Sequence, residues 1–352
     1  MIKTYFSNQG VEWDEIVKSF SKHDSYYLSG YVKAFERNGD GKAMLIYFED
    51  DSPEKTRAIS VVMKRDISDF QPFSNRLQDN GFFDIVTPYG YGGFIIEGEN
   101  VRQLKEEYEQ FCKKEHIVSE FVRFHPILEN WNGLDSVYDI VRLGNTVFMD
   151  TSAPETIWQN LTSKNRNMIR KAQKEGLKVF WGRDPQIIEQ FIQIYNETMD
   201  KDSANDYYYF DKDFYESISE DLKHNALWFY SVKDDEIAAI SIFLFCNGQM
   251  HYHLSGSKRK FSSLAPTNLL LYEAAVWASK NGYKTLHLGG GVGAAEDSLY
   301  KFKKAFNRNE DSAFCIGRKI FDNDTYQKLV DFRSEENSFD NNSSFFPLYR
   351  AK

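Results

Sequence analysis

The chain has 352 residues, of which 41% are hydrophobic and 27% charged, with a formal net charge of -9. That length and balance suit a globular protein of about two domains with sizeable cores, and the acidic balance excludes a surface built to coat nucleic acid. No stretch approaches the roughly 18 to 20 apolar residues of a bilayer span, and the opening MIKTYFSNQG lacks a secretion signal, so the expectation is a cytoplasmic protein without an integral membrane segment.

Cys112, Cys246 and Cys315 are odd in number and far apart, with no CxxC pair and no histidine at ligand spacing. Neither a disulfide framework nor a zinc site is expected, and no metal is assigned. In chain order, KAMLIYFEDD, TRAISVVMKRD and FFDIVTPYGYGGFII read as three strands, followed by a helix around Val101 to Glu115 and the strand SEFVRFHP.

Residues 153 to 176 then read as an amphipathic helix, with Ile157, Leu161, Ile169 and Ala172 on one side. Its basic set includes Arg166, Arg170 and Lys174, which recur every four residues and share a face. A solvated helix face is the ordinary explanation; the sharper one is a docking surface for RNA or another polyanion. Helices near Pro185 to Asp200 and Lys212 to Lys223 flank the run Tyr207-Tyr208-Tyr209-Phe210, in which Tyr209 is a candidate pocket wall.

ALWFYSVKDDEIAAISIFLFCNGQMHYHLSGS is an antiparallel meander, because Asn247-Gly248 tolerates the positive φ of a two-residue hairpin. A leucine-rich helix from Pro266 to Lys280 stops at Asn281-Gly282, Tyr283 to Leu288 is a short strand, and Asp297 N-caps a last helix. The order three strands, helix, strand, helix thus occurs twice. It predicts an α/β protein with mixed sheets, in two domains, 1–150 and 151–352; the alternative is one large mixed sheet. The polar tail SEENSFDNNSSFFPLYRAK is expected to end in an edge strand.

Two candidate anion sites lie in the second half. Gly289, Gly291 and Ala294 fit a GxGxxA outline, yet too little chain follows for a dinucleotide fold. Glycines such as Gly290 and Gly291 instead let backbone approach a ligand closely or simply make a tight turn. Just before the Pro266 helix, Arg259, Lys260 and Ser263 sit in KFSSLA, an acyl-CoA pyrophosphate-loop outline with serine where glycine is usual. On the last helix, Leu299, Phe302 and Phe306 form an apolar stripe that Lys303 shares. An ammonium placed there either snorkels outward or meets an anion.

LTSKNRNMIRKAQKEG at 161–176, HYHLSGS at 251–257 and HLGGGVGAAEDSLYKFKKAF at 287–306, backed by TPYGYGG at 87–93 and VRFHP at 122–126, together resemble the FemABX-type peptidyltransferases. The resemblance implies two tandem domains of the GNAT acyltransferase fold and transfer of an amino acid from aminoacyl-tRNA to a peptidoglycan precursor. It also implies that Lys303 steadies the reacting acyl or phosphate group, that Tyr252 and His253 face the substrate, and that Tyr89, Tyr91 and Arg123 border a precursor cleft. Related outlines occur in capsule and other surface-glycan pathways, so the resemblance leaves the acceptor open, and the expected partner is a nucleotide- or lipid-diphosphate-linked glycan precursor of the cell envelope.

An amine attacking an ester builds charge on the carbonyl oxygen, which Lys303 could stabilise. His253, Tyr252, Glu296 and Asp297 are the candidate proton acceptors. Two other readings remain: an acyl-CoA-dependent N-acyltransferase acting on a nucleotide-linked amino sugar, and a non-catalytic member that binds glycan or RNA.

Overall fold

The computed structural model describes residues 1–74 and 81–351, and its compact units are Met1–Leu143 with Phe314–Lys352, and Gly144–Ala313.

The first unit runs through β1 (Ile2–Phe6), α1 (Gly10–Lys18), α2 (Ser29–Arg37), β2 (Lys42–Glu49), β3 (Arg57–Asp66), β4 (Phe83–Val86), β5 (Ile95–Glu97), α3 (Val101–Lys114) and β6 (Ile117–Arg123). The second takes up the chain within β7 (Asp139–Asp150) and continues with α4 (Pro154–Asn160), α5 (Ser163–Lys174), β8 (Lys178–Gly182), α6 (Pro185–Lys201) and α7 (Lys212–Asp221). Its meander is β9 (Ala226–Lys233), β10 (Glu236–Cys246) and β11 (Gln249–Ser257), followed by α8 (Pro266–Lys280), β12 (Thr285–Gly289) and α9 (Ser298–Lys304). β13 (Ser312–Ile320) and α10 (Asn323–Ser334) complete the first unit.

The strand order is β1-β2-β3-β4-β6-β13 in the first unit and β8-β9-β10-β11-β12-β7 in the second. The two orders correspond strand for strand, and β4 lies parallel to β6 as β11 does to β12. The repeated element order is therefore a repeated topology. The last strand of the first unit, β13, comes from the C-terminal end of the chain, and that of the second, β7, from the residues that open it.

Local chemistry explains the elements. Leu104, Tyr108 and Cys112, four residues apart, are the buried face of α3, and Asn100 caps its first turn. Asn247 (φ 46°) and Gly248 (φ 78°) make the predicted hairpin, and Asp234-Asp235 makes a matching one between β9 and β10. The second unit's core packs Leu269, Leu270, Ala274 and Ala278 of α8 against Phe229, Phe243, Met250 and Leu286 of the sheet. Each large side chain so buried contributes about 1.5 to 3 kcal/mol.

Two expectations are corrected, and the N-terminal elements are added to them. The helix over 153–176 is two helices, because Thr162 ends one turn and accepts the Asn165 N–H to cap the next. The N-terminal β1, α1 and α2, which carry no strong punctuation, were not expected at all. The FFPLY tail forms no strand and does not stay with the second half. Tyr349 and Ala351 join Phe73, Val118 and Leu329 in the first unit's core, and the buried Arg333 donates to the carbonyls of Tyr349 (2.8 Å) and Ala351 (2.9 Å). Tail carbonyls satisfied by a guanidinium need no sheet partner. Among the described residues no helix is long and apolar enough to cross a membrane.

Candidate functional site

In the second unit, β11 and β12 pair only over Gln249–His251 and Thr285–His287. Beyond that point β11 continues to Ser257 and β12 to Gly289 without pairing to each other, so the parallel strands part and leave a slot. The register between β10 and β11 jumps from Ile242↔Leu254 to Phe243↔Tyr252, which leaves His253 as the extra residue of a bulge at the slot. Just inside, the rings of His251 and His287, both buried, meet edge to face at 5.7 Å.

The glycine turn follows β12. Gly289 has φ 80°, and a Cβ on Gly291 would sit 2.1 Å from the Ala295 carbonyl oxygen, so neither position takes a side chain without rebuilding the turn. Asp297 closes the turn with one oxygen on the Val292 N–H (3.1 Å) and the other on the Tyr300 N–H (2.8 Å). These bonds hold its carboxyl below the usual range. A carboxylate committed to two amides is a cap, so Asp297 drops out as a proton acceptor.

Lys303 is 8% exposed, and its Nζ donates to the Gly290 carbonyl at 2.6 Å. Burial lowers its pKa to about 8, against the opposing pull of Asp297. The expected stripe is rotated: Tyr300 and Lys303 are the buried residues of α9, while Leu299 is 39% exposed. Tyr300 turns inward because its hydroxyl donates to Asp311 (2.5 Å), which also takes the Lys304 ammonium (2.8 Å). Lys303 therefore neither snorkels nor pairs with a carboxylate; it is held against a carbonyl.

His253 has its pKa lowered to about 3, by burial and then by His251, so it is a neutral imidazole at physiological pH. Burial raises the phenol of Tyr252, which stays protonated, while hydrogen bonds from Ser255 and Ser241 oppose that shift. Tyr252 is a hydrogen-bonding group and not a base.

The pyrophosphate-loop candidate has partners within the chain. Lys258 (2.7 Å) and Lys260 (2.5 Å) both pair with Glu236, and Lys171 donates to the Ser263 carbonyl at 2.7 Å. Residues Arg259–Leu264 form a 3-10 turn whose amides bond internally, Phe261 to Lys258 and Ala265 to Ser262. Glu236 lies more than twenty residues upstream in sequence, and only the strand pairing shows that it reaches this loop.

The basic helix face is partly spent as well. Arg166 donates to the carbonyls of Leu161 (2.6 Å) and Trp158 (3.4 Å), finishing α4, and Arg170 lies 5.2 Å over the Trp158 ring. Lys174 is exposed. Tyr209 donates to Asp200 at 2.8 Å, beside α6. Three of the four residues thus have structural partners.

In the first unit the corresponding slot is filled. After Val86 and Phe121, the last pair of β4 with β6, the Arg123 N–H donates to Thr87 Oγ1 and the Gly92 N–H to the Arg123 carbonyl at 2.7 Å. A Cβ on Gly93 would lie 2.7 Å from the Phe124 ring. TPYGYGG therefore plugs the gap and carries Tyr89 and Tyr91 on its surface. Tyr91 packs edge-on against Tyr26 (5.6 Å) and next to His125 (5.9 Å), and Tyr31 hydrogen-bonds the Tyr89 carbonyl. Burial pushes the Tyr91 phenol up, and Arg123 opposes it. Tyr89 and Arg123 both act electrostatically on Tyr91, so the three lie near one another. His125 and Asp24, fully buried and 3.5 Å apart, belong to the same cluster but were not singled out. Two cavities also open in this unit, one of about 590 Å³ beside Tyr138, Arg318 and Tyr326 and one of about 380 Å³ beside His116 and Phe321; neither is lined by any of these residues.

Residues 161–304 match the family model described as an acetyltransferase (GNAT) domain. With the repeated strand order, the fold is a tandem of two GNAT-type units. Over the whole chain it is similar to the crystal structure of FemX, with a TM-score of 0.68 at 13% identity, covering 93% of this chain and 99% of that one. It is also similar to the C-terminal domain of a putative lysylphosphatidylglycerol synthetase from Agrobacterium fabrum (TM-score 0.56, 13% identity, 89% and 92% covered). A conserved protein of unknown function from Bacteroides thetaiotaomicron gives a TM-score of 0.58 at 10% identity, with 91% and 100% covered. At such identities these are likenesses of fold. Among curated proteins no sequence matches.

Proposed function

We propose that the protein is an acyltransferase that moves an aminoacyl group from aminoacyl-tRNA to an amine of a cell-envelope precursor, a peptidoglycan or surface-glycan intermediate. The observation that carries this reading is Lys303, a buried ammonium fixed to Gly290 just past the point where β11 and β12 part. Attack by the acceptor amine forms a C–N bond and places negative charge on the former carbonyl oxygen. A preorganised cation beside that oxygen stabilises it by about 3 to 4 kcal/mol, judged by the loss of single oxyanion donors. Collapse breaks the ester C–O bond, and the proton leaving the amine passes to the departing ribose oxygen, with neutral His253 as the side chain of the slot able to relay it.

The loop at Lys258–Ala265 supports tRNA over coenzyme A as donor. Its two lysines share Glu236 as a partner, and the Phe261 and Ala265 amides are bonded within the turn. The plugged slot of the first unit supports assigning the donor to the second unit. The likeness to FemX, and to a domain of a putative lysylphosphatidylglycerol synthetase, agrees with an aminoacyl donor. The test is transfer of a labelled amino acid from charged tRNA to purified envelope precursors by the wild-type protein and by Lys303→Met.

A further inference from the structure

Three hydroxyl groups interrupt the apolar floor of the slot. The register places Ser241 opposite Ser255 and Phe243 opposite Tyr252, so all four side chains share one face of β10 and β11. Ser241 Oγ donates to Ser255 Oγ at 2.8 Å, and both serines are hydrogen-bonding neighbours of the Tyr252 hydroxyl. Ser241 is fully buried, whereas Tyr252 and Ser255 are partly exposed. The opposite face is shut by α6: a Cβ on Gly256 would lie 2.7 Å from the Ile194 carbonyl oxygen, and the Ser257 N–H donates to Thr198 Oγ1 at 3.0 Å. The partial exposure of Tyr252 and Ser255 leaves access on the face that carries the hydroxyls, beside the part that α8 covers.

Tyr252 packs on the apolar cluster that holds Phe243, Phe261 and Leu264. A hydroxyl set into such a surface costs free energy unless it is hydrogen-bonded, and three hydroxyls bonded only to one another leave lone pairs unused at the two exposed members. An alkyl chain laid there would strand those lone pairs. An amino group on the carbon next to the carbonyl would satisfy them.

We infer that Ser241, Tyr252 and Ser255 read the α-amino group of the transferred acyl chain, so that the protein accepts an aminoacyl group and rejects an unsubstituted alkanoyl group of the same size. This rests on the donor reading above and extends it to the selection of the acyl chain. Tyr252 then serves in specificity and not in proton transfer.

The test uses two stable donor probes that differ only at that substituent, the 3′-alanylamido and 3′-propionylamido derivatives of 3′-deoxyadenosine, titrated by calorimetry into the full-length protein. The wild type is expected to bind the alanyl probe about tenfold or more tightly, since a site built to hydrogen-bond rejects the analogue that lacks the group. Tyr252→Phe and Ser255→Ala are expected to bring the preference below about twofold while leaving propionyl binding in place. Ser255→Thr, which keeps a hydroxyl, retains it. An unchanged preference in both Tyr252→Phe and Ser255→Ala, or equal binding of the two probes by the wild type, overturns the inference and leaves the donor reading standing. Failure of the wild type to bind either probe overturns both.

Discussion

Lys303→Met is expected to make the protein more stable near neutral pH, and by a calculable amount. The ammonium is 8% exposed, its pKa falls from 10.5 to about 8, and burial is the leading cause. That drop corresponds to about 3 kcal/mol by which folding disfavours the charged form, at about 1.4 kcal/mol per tenfold. For a lysine lowered by folding, the penalty is fully present below about pH 8. It disappears as pH rises from about 8 to 10.5, because the folded protein sheds the proton first. The gap between Lys303→Met and wild type, measured by urea unfolding at a series of pH values, should therefore be largest at pH 7 and shrink by about 3 kcal/mol by pH 11. Groups that titrate in both proteins cancel in the difference. A gap that is flat across this range would refute the argument that Lys303 is held charged at a cost. A buried cation that weakens the fold is explained by function and not by packing.

Glu236→Gln should free Lys258 and Lys260, so that the variant is stabilised against heat by inorganic pyrophosphate in a salt-sensitive way while the wild type is not. Stabilisation of the wild type by acetyl-CoA would instead favour an acyl-CoA donor. Arg333→Leu should lower stability in urea by about 3 kcal/mol or more, because two hydrogen bonds to a charged group are lost and the Tyr349 and Ala351 carbonyls are stranded. A loss below about 1 kcal/mol would show that the tail does not depend on that arginine.

Much of the second unit was legible because its punctuation is local. Asn247-Gly248, Asn281-Gly282 and Asp297 mark a hairpin, a helix stop and a cap with two or three residues each, and all three behave as expected. Repetition of the element order exposed the tandem fold, and the two strand orders match. What could not be read depends on distant partners. The rotation of α9 follows from the Tyr300–Asp311 bond, and the pairing of the basic loop follows from Glu236 on the far end of β10. Nothing local distinguishes Arg166, which finishes a helix, from an arginine that awaits RNA. The FFPLY tail looked like a strand because its alternation is apolar, whereas its carbonyls are taken by Arg333. Ser241 and Ser255 were invisible as a pair until the β10–β11 register brought them together.

The proposed role of the Lys303 ammonium is to stabilise charge as an amino acid passes from tRNA to an envelope amine. It is tested most directly by single-turnover transfer of a labelled amino acid from charged tRNA to purified envelope precursors, comparing wild type with Lys303→Met at equal folded concentration. The expected result is a rate lower by about 10² to 10³ in the variant, the usual cost of removing one oxyanion donor, with a wild-type rate that falls as pH rises through about 8, where Lys303 loses its proton. Transfer by Lys303→Met at the wild-type rate, with the same pH dependence, would contradict it.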